Sequence, residues 1–211
     1  MTNRALAVAI LSCLACALGC ATDRTEDFKR DLGEIVPDNT AEKQEAVRLV
    51  NEAYEVYHDN GRKNERRVAE AAALLERAIR LDPGFATAYL NLGVLHLEND
   101  NLPIAVTYFR RAHLLMPGDS RPSYHLGVAY YKMGHAREAI DTYVRAIEID
   151  ESDIRAVRGL ALACRSIHYA DDTTLELLRR SEMLEPDQEW RELMAREITR
   201  QERKLEMSAA G

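Results

Sequence analysis

The sequence predicts an all-α solenoid built from stacked helix pairs. One observation dominates: residues recur at a step of 34. Ala71, Ala105 and Ala139 keep that step, as do Leu75, Phe109 and Tyr143, and Ala78, Ala112 and Ala146. Leu92, Leu126 and Leu160 follow it, with the pairs Gly93/Gly127 and Pro83/Pro117. A fixed period of this length marks a supersecondary unit that buries its apolar face only by stacking on its neighbours. Apolar residues also return at helical spacing from residue 41 onward, without sustained alternation, and the whole chain holds only ten glycines. Composition is that of a folded soluble body, 46% hydrophobic and 30% charged. A net charge of -7 argues against nucleic acid as a partner, because phosphate contacts need clustered Lys and Arg.

Residues 1–19 read as a signal peptide. Arg4 supplies a basic start, Ala5 to Leu18 are apolar apart from Ser12, and Thr22, Asp23 and Arg24 restore polarity. The apolar run is too short to span a membrane, which takes roughly 20 residues. It ends Ala17-Leu18-Gly19-Cys20, which resembles the lipobox of bacterial lipoproteins. That resemblance implies lipidation of Cys20 after cleavage, with several acyl chains and therefore firm anchoring. Ala21 rather than Asp follows, which resembles the pattern of lipoproteins sent to the outer membrane. A plain signal peptide cut near Ala21 and an uncleaved anchor are the other readings. After cleavage Cys13 and Cys16 are gone and Cys20 is blocked, so Cys164 is left as a single thiol and no intrachain disulfide can form. The mature charge becomes -8 with the loss of Arg4.

Residues 20–40 are polar, with Phe28, Leu32, Ile35 and Val36 the few large apolar side chains, and are expected to form a flexible tether. The array follows over 41–186. Ala41 to His58 places Val47, Val50, Tyr54 and Tyr57 near helical spacing, and Asp59-Asn60-Gly61 stops it. Glu65 to Leu81 is its partner, ended by Asp82-Pro83-Gly84. Two clear pairs occupy 86–119 and 120–153: Ala86–Glu98 with Leu102–Leu115, then Arg121–Lys132 with Ala136–Ile149. Asn99-Asp100-Asn101 and Gly134 supply their inner turns. A looser pair, 154–186, runs from Ile154 to His168 and from Asp171 to Leu184. A last helix and tail, 187–211, begin at Pro186-Asp187, where Asp187 can cap the first turn.

The pairs resemble the tetratricopeptide repeat. One unit reads Tyr89, Leu92-Gly93, Ala105, Phe109, Ala112, Pro117, and the next Leu126-Gly127, Tyr130, Ala139, Tyr143, Ala146. The resemblance implies a right-handed superhelix (α-solenoid) of about three to four helix pairs plus a C-terminal capping helix. The outer units depart from the pattern. The first lacks Leu-Gly and has a long turn from His58 to Val68, and the third has Ala161 for Gly and Thr173 for Ala. Atypical end units are usual in such arrays, since one side faces water.

No catalytic constellation is present. His-Glu-x-x-His, a Gly-rich phosphate loop and a Gly-x-Ser-x-Gly elbow are all missing, and the six histidines are dispersed. No cofactor or metal is expected, and Cys164 reads as a buried packing thiol. In the family the first helix of each pair lines a concave groove. Carried onto this chain, that points to Leu90, Asn91, Val94 and Leu97, then Arg121, Tyr124, His125, Val128 and Tyr131, then Arg155, Arg158, Leu162 and Arg165. The last four lie three or four residues apart, so they share one helix face and predict a basic stripe suited to carboxylates. Charge reversal at Arg158 and Arg165 is expected to weaken partner capture while leaving the array folded. The resulting expectation is a lipid-anchored, non-enzymatic scaffold on the periplasmic face of the outer membrane. It would hold envelope proteins or peptide segments, acidic or C-terminal, in assembly of a pilus, secretion or cell-wall complex. A soluble periplasmic co-chaperone is the alternative.

Overall fold

The computed structural model describes residues 40–58 and 65–209. The signal peptide, Cys20, the tether and the 59–64 turn lie outside the described residues. The chain divides into Met1–Lys43 and Gln44–Gly211. Of the first unit, Thr40–Lys43 are described and are helical. All other described residues belong to the second unit.

The described residues form nine helices and no strand: α1 Thr40–His58, α2 Glu65–Leu81, α3 Ala86–Glu98, α4 Leu102–Leu115, α5 Ser120–Lys132, α6 Ala136–Ile149, α7 Ile154–Ser166, α8 Asp172–Glu182 and α9 Gln188–Ala209. The boundaries match the sequence expectation to within two residues, except that α9 continues as helix through its charged end to Ala209. From α3 onward each helix packs on the next, and α3, α5, α7 and α9 also touch in series as an inner layer. The fold is therefore an α-solenoid.

The repeat is written into the turns as well as the core. The described non-Gly residues with positive φ are Asp100 (62°) and His168 (51°), and Gly134 has φ 79°. All three stand at the same place, the turn inside a pair, one repeat length apart. Glycine adopts this left-handed backbone without a Cβ clash, and Asp and His tolerate it better than bulkier residues. The helix starts repeat too. Asp119, Asp153 and Asp187 are 34 apart, and each carboxylate accepts from backbone N–H groups of the first turn that follows: Arg121, Arg155, and Glu189 with Trp190. These bonds satisfy donors that have no partner within the helix.

Packing between units rests on one aromatic ring per pair. Phe109 is fully buried and Tyr143 nearly so. A Cβ added at Gly93 would come within 2.6 Å of the Phe109 ring, and one at Gly127 within 2.7 Å of Tyr143. The two glycines therefore let rings of the second helix press onto the backbone of the first. In the next unit Phe109 stacks on His125 at 5.3 Å. The residue equivalent to His125 one repeat later is Gly159, and a Cβ there would lie 2.5 Å from Tyr143 Cζ. Gly159 keeps the space that the Tyr143 ring fills. The third unit is thus better built than its Ala161 in place of Gly suggests.

The C-terminal helix does more than solvate an open end. Met194 and Ile198 are buried against Ala163, Cys164 and Leu178. Beside them runs a buried polar chain: Thr174 Oγ1 donates to Gln201 Oε1 (3.1 Å), Gln201 Nε2 donates to Glu197 Oε1 (3.1 Å), and Arg200 pairs with Glu197. Arg200 also donates to the carbonyl of Tyr169 at 2.5 Å. Each polar group inside this contact has a partner, which is what allows it to be buried.

Candidate interaction groove

Because the inner helices touch in series, one face of α3, α5 and α7 forms a continuous surface, closed at the C-terminal end by α9. Asn91, Val94, Tyr124, His125, Val128, Arg158 and Leu162 are half-buried along it, and Arg121, Tyr131, Arg155 and Arg165 are exposed. Two expectations are corrected. Leu90 and Leu97 belong to the core, at 3% and 7% exposure, and do not line the groove. Both sit on the broad apolar face of α3, where six of thirteen residues are buried.

The arginine stripe is also different in kind from the one expected. Arg155 forks onto Asp153, with Nε and Nη2 each 3.0 Å from a carboxylate oxygen. Its guanidinium lies over the Tyr124 ring at 4.8 Å. Asp153 is itself nearly buried and accepts from the Ser120 hydroxyl (3.3 Å). Arg121 makes the same fork with Asp119 one repeat earlier. Arg158 forks onto Glu185, Nε at 2.9 Å and Nη2 at 2.5 Å, and stacks over Trp190 at 4.9 Å. The Glu185 side chain is wholly buried while that of Arg158 is 30% exposed. Arg158 therefore holds the fold together, and its charge reversal cannot be expected to leave the array intact. Arg165 is exposed and makes no ion pair among the described residues; it borders a shallow hollow of mixed charge with Glu189, Glu192, Leu193, Arg196, Glu197 and Arg200. Fixed in this way, Arg121 and Arg155 still turn charged, partly exposed guanidinium edges outward.

Titration follows from these partners. The hydrogen bonds from Arg158 hold the Glu185 carboxyl below its ordinary value despite its burial. Those from Arg121 do the same for Asp119. His125 is pushed down to about 4, chiefly by burial and then by the nearby Arg155. It is therefore a neutral, flat ring at neutral pH, stacked on Phe109 and 4.9 Å from Tyr124. Burial raises the Tyr124 and Tyr143 hydroxyls. The middle of the groove is thus aromatic and uncharged, with positive charge along its later helices.

Some of this was within reach of sequence reading. The Asp119, Asp153 and Asp187 echo was visible, and with it an arginine two residues after each of the first two. The pairing of Glu185 and Trp190 with Arg158 was not, since Glu185 ends the loose third pair and Trp190 lies in the last helix, where no earlier unit supplies a template. Tyr54, Tyr57 and His58 were also overlooked, because the register of the first unit was ambiguous. They border a cavity of about 210 Å3 that opens beside Asn91 and Val94.

Among the described residues no group of His, Cys, Asp or Glu could hold a metal ion, and no helix is long and apolar enough to cross a membrane. Cys164 is buried, and burial pushes its thiol up to about 12, far from a nucleophile's range.

Residues 62–118 and 121–153 match family models described as tetratricopeptide repeat. The chain is a tetratricopeptide-repeat protein. Over 89 residues, 42% of its length, this tetratricopeptide-repeat chain is 36% identical to the cell division cycle protein 27 homolog of Caenorhabditis elegans, and it spans 11% of that relative. The structure of MamA superposes with a TM-score of 0.54 at 22% identity, covering 86% of this chain and 87% of MamA. The first tetratricopeptide domain of Spaghetti (RPAP3), bound to the HSP90 peptide SRMEEVD, superposes with a TM-score of 0.55 at 16% identity, covering 60% of this chain and 96% of that domain. These likenesses establish the fold. Repeats of this kind are protein–protein interaction modules.

Proposed function

We propose that this protein is a non-catalytic scaffold whose concave face holds an extended segment of a partner protein, with acidic or C-terminal carboxylate groups toward Arg165. The observation that carries the reading is the groove itself. A neutral aromatic floor of Tyr124 and His125 leads to Arg155, locked by Asp153, and on to Arg165, the arginine of the stripe that makes no ion pair among the described residues. Rigid aromatic area and preset arginines bind carboxylates at low entropic cost. A domain of the same fold bound to the acidic peptide SRMEEVD supports the choice of ligand class. The lipobox-like Ala17-Leu18-Gly19-Cys20 supports a position in a bacterial envelope on a lipid anchor, at the periplasmic face of the outer membrane. Service to a pilus, secretion or cell-wall complex belongs to the same proposal.

Two experiments test it. Fluorescein-labelled SRMEEVD, with its free C-terminus, is titrated into the full chain and followed by anisotropy. Binding that weakens at least tenfold in Arg165→Glu, at unchanged thermal stability, is the expected result; equal binding by both proteins, or none by either, overturns the acidic-segment reading. Incorporation of labelled palmitate that disappears in Cys20→Ser is expected of the anchor. Its absence in the wild type makes the protein a soluble periplasmic one instead.

A further inference from the structure

The last helix carries a positively charged hollow of about 570 Å3. It is lined by His168, from the turn after α7, and by Arg196, Arg200, Arg203, Lys204 and Met207 of α9, with no carboxylate on its wall. Spacings of three and four put Arg196, Arg200, Arg203 and Met207 on one face of α9, opposite the face that buries Met194, Ile198 and Gln201. Two hydrogen bonds tie this side of the helix to the turn: Arg200 donates to the Tyr169 carbonyl and Lys204 Nζ to the His168 carbonyl, each at 2.5 Å. The charges differ in availability. Arg200 is committed to the buried Glu197, and Arg196 pairs with Glu192 at 3.3 Å in an exposed contact of a kind that contributes little. Arg203 makes no ion pair among the described residues, and the bond from Lys204 goes to a neutral carbonyl. Two positive charges therefore line the hollow uncompensated. The other acids of this stretch are elsewhere: Glu202 holds Arg179, and Glu206 is exposed outside the lining.

We propose that this hollow binds a phosphate group, carried on a soluble ester or on a lipid headgroup. Charge complementarity selects an anion, and the donors select its shape. The Arg203 guanidinium has its N–H groups to give, and Lys204 has those that the His168 carbonyl leaves. A carboxylate fits one guanidinium edge, whereas the outer oxygens of a phosphate ester can meet Arg203 and Lys204 together. The hollow is also roomier than a bare ion needs. Met207, 77% exposed, and the aliphatic stems of the arginines offer contact to the alcohol part of an ester. A net charge of -7 gives the chain as a whole no attraction for anions, so binding comes from this local field. Arg165 does not line the hollow, and the site stands apart from the acidic-segment reading of the groove.

Glycerol phosphate is titrated into the full chain at constant ionic strength, with sodium acetate as the matched control, while the backbone amide resonances of His168, Thr199 and Arg203 are followed by NMR. The expected result is a saturable shift with the phosphate ester, at least a fivefold weaker response to acetate, and at least a fivefold loss of the phosphate response in Arg203→Gln, which breaks no ion pair among the described residues. A parallel arm pellets phosphatidylcholine vesicles that contain phosphatidylglycerol. It counts only the bound fraction that Arg203→Gln/Lys204→Gln removes, because an acyl anchor would hold both proteins alike. Such a fraction assigns the phosphate to a lipid headgroup; saturation by the soluble ester without it assigns the phosphate to a soluble ester. An equal response to acetate, absence of both signals, or responses unchanged in the variants overturns the proposal.

Discussion

Replacing Arg158 by alanine removes the partner of a carboxylate that has no contact with water. The Glu185 side chain is 0% exposed and is held by two forked bonds from Arg158 and one from the Asp187 N–H at 3.0 Å. Deleting one member of a buried pair strands the other charge and costs about 3–5 kcal/mol. The lost stack of Arg158 on Trp190 adds about 0.5–1 kcal/mol. The total, about 3.5–6 kcal/mol, is a large share of the roughly 5–15 kcal/mol that holds a domain folded. The pH dependence has a definite sign. In the wild type the folded-state value for Glu185 is depressed, so the pair's contribution is complete above the ordinary carboxylate range and is lost as pH falls through the lowered value. In Arg158→Ala the stranded carboxyl can take up a proton instead, so the deficit narrows in mild acid. Urea unfolding of wild type, Arg158→Ala and Arg158→Ala/Glu185→Gln at pH 7 and pH 5 measures both effects. The double variant is expected to recover most of the loss, because an amide can be buried without a counter-charge. A single-variant loss below about 1 kcal/mol at pH 7, or a double variant no better than the single, would refute the assignment of Arg158 to the fold.

Gly159→Ala puts a Cβ where Tyr143 Cζ lies 2.5 Å away, and overpacking of this kind costs about 1–3 kcal/mol. Gly118→Ala, with nothing within 4 Å, should change stability by no more than about 0.5 kcal/mol in the same thermal melts. His125 titrates at about 4 when folded, against an ordinary value of 6.5, so the unfolded chain binds the proton first as pH falls. Stability should therefore decline between these two values by up to about 3 kcal/mol, a slope that His125→Gln flattens. Cys164 should react with a thiol reagent at the rate of unfolding and no faster, since it is buried with its thiol pushed up to about 12; rapid labelling of the native protein would contradict its placement.

The repeat and its turns were legible from local pattern. A period of 34 with small residues at fixed offsets dictates which helices form, where they stop and which sides they bury. A helix face and a left-handed turn depend on neighbours a few residues away. The candidate groove came instead from the resemblance to the repeat family, which points to the first helix of each pair; Asn91, Val94, Tyr124, His125, Val128 and Arg165 lie half-buried or exposed on those helices. Leu90 and Leu97 show where phase stops being enough: α3 is apolar around much of its circumference, and only the packed neighbours decide which leucines are covered. Arg158 shows the larger limit. By spacing it is one of three equivalent arginines, but its partner Glu185 lies 27 residues away, after α8 at the end of the loose third pair. Ion pairing depends on the distance between elements and on how much water is excluded around them. Local sequence therefore determined the helices and the face they share. Only tertiary contact decided which charges on that face are sealed into the fold and which remain to meet a partner.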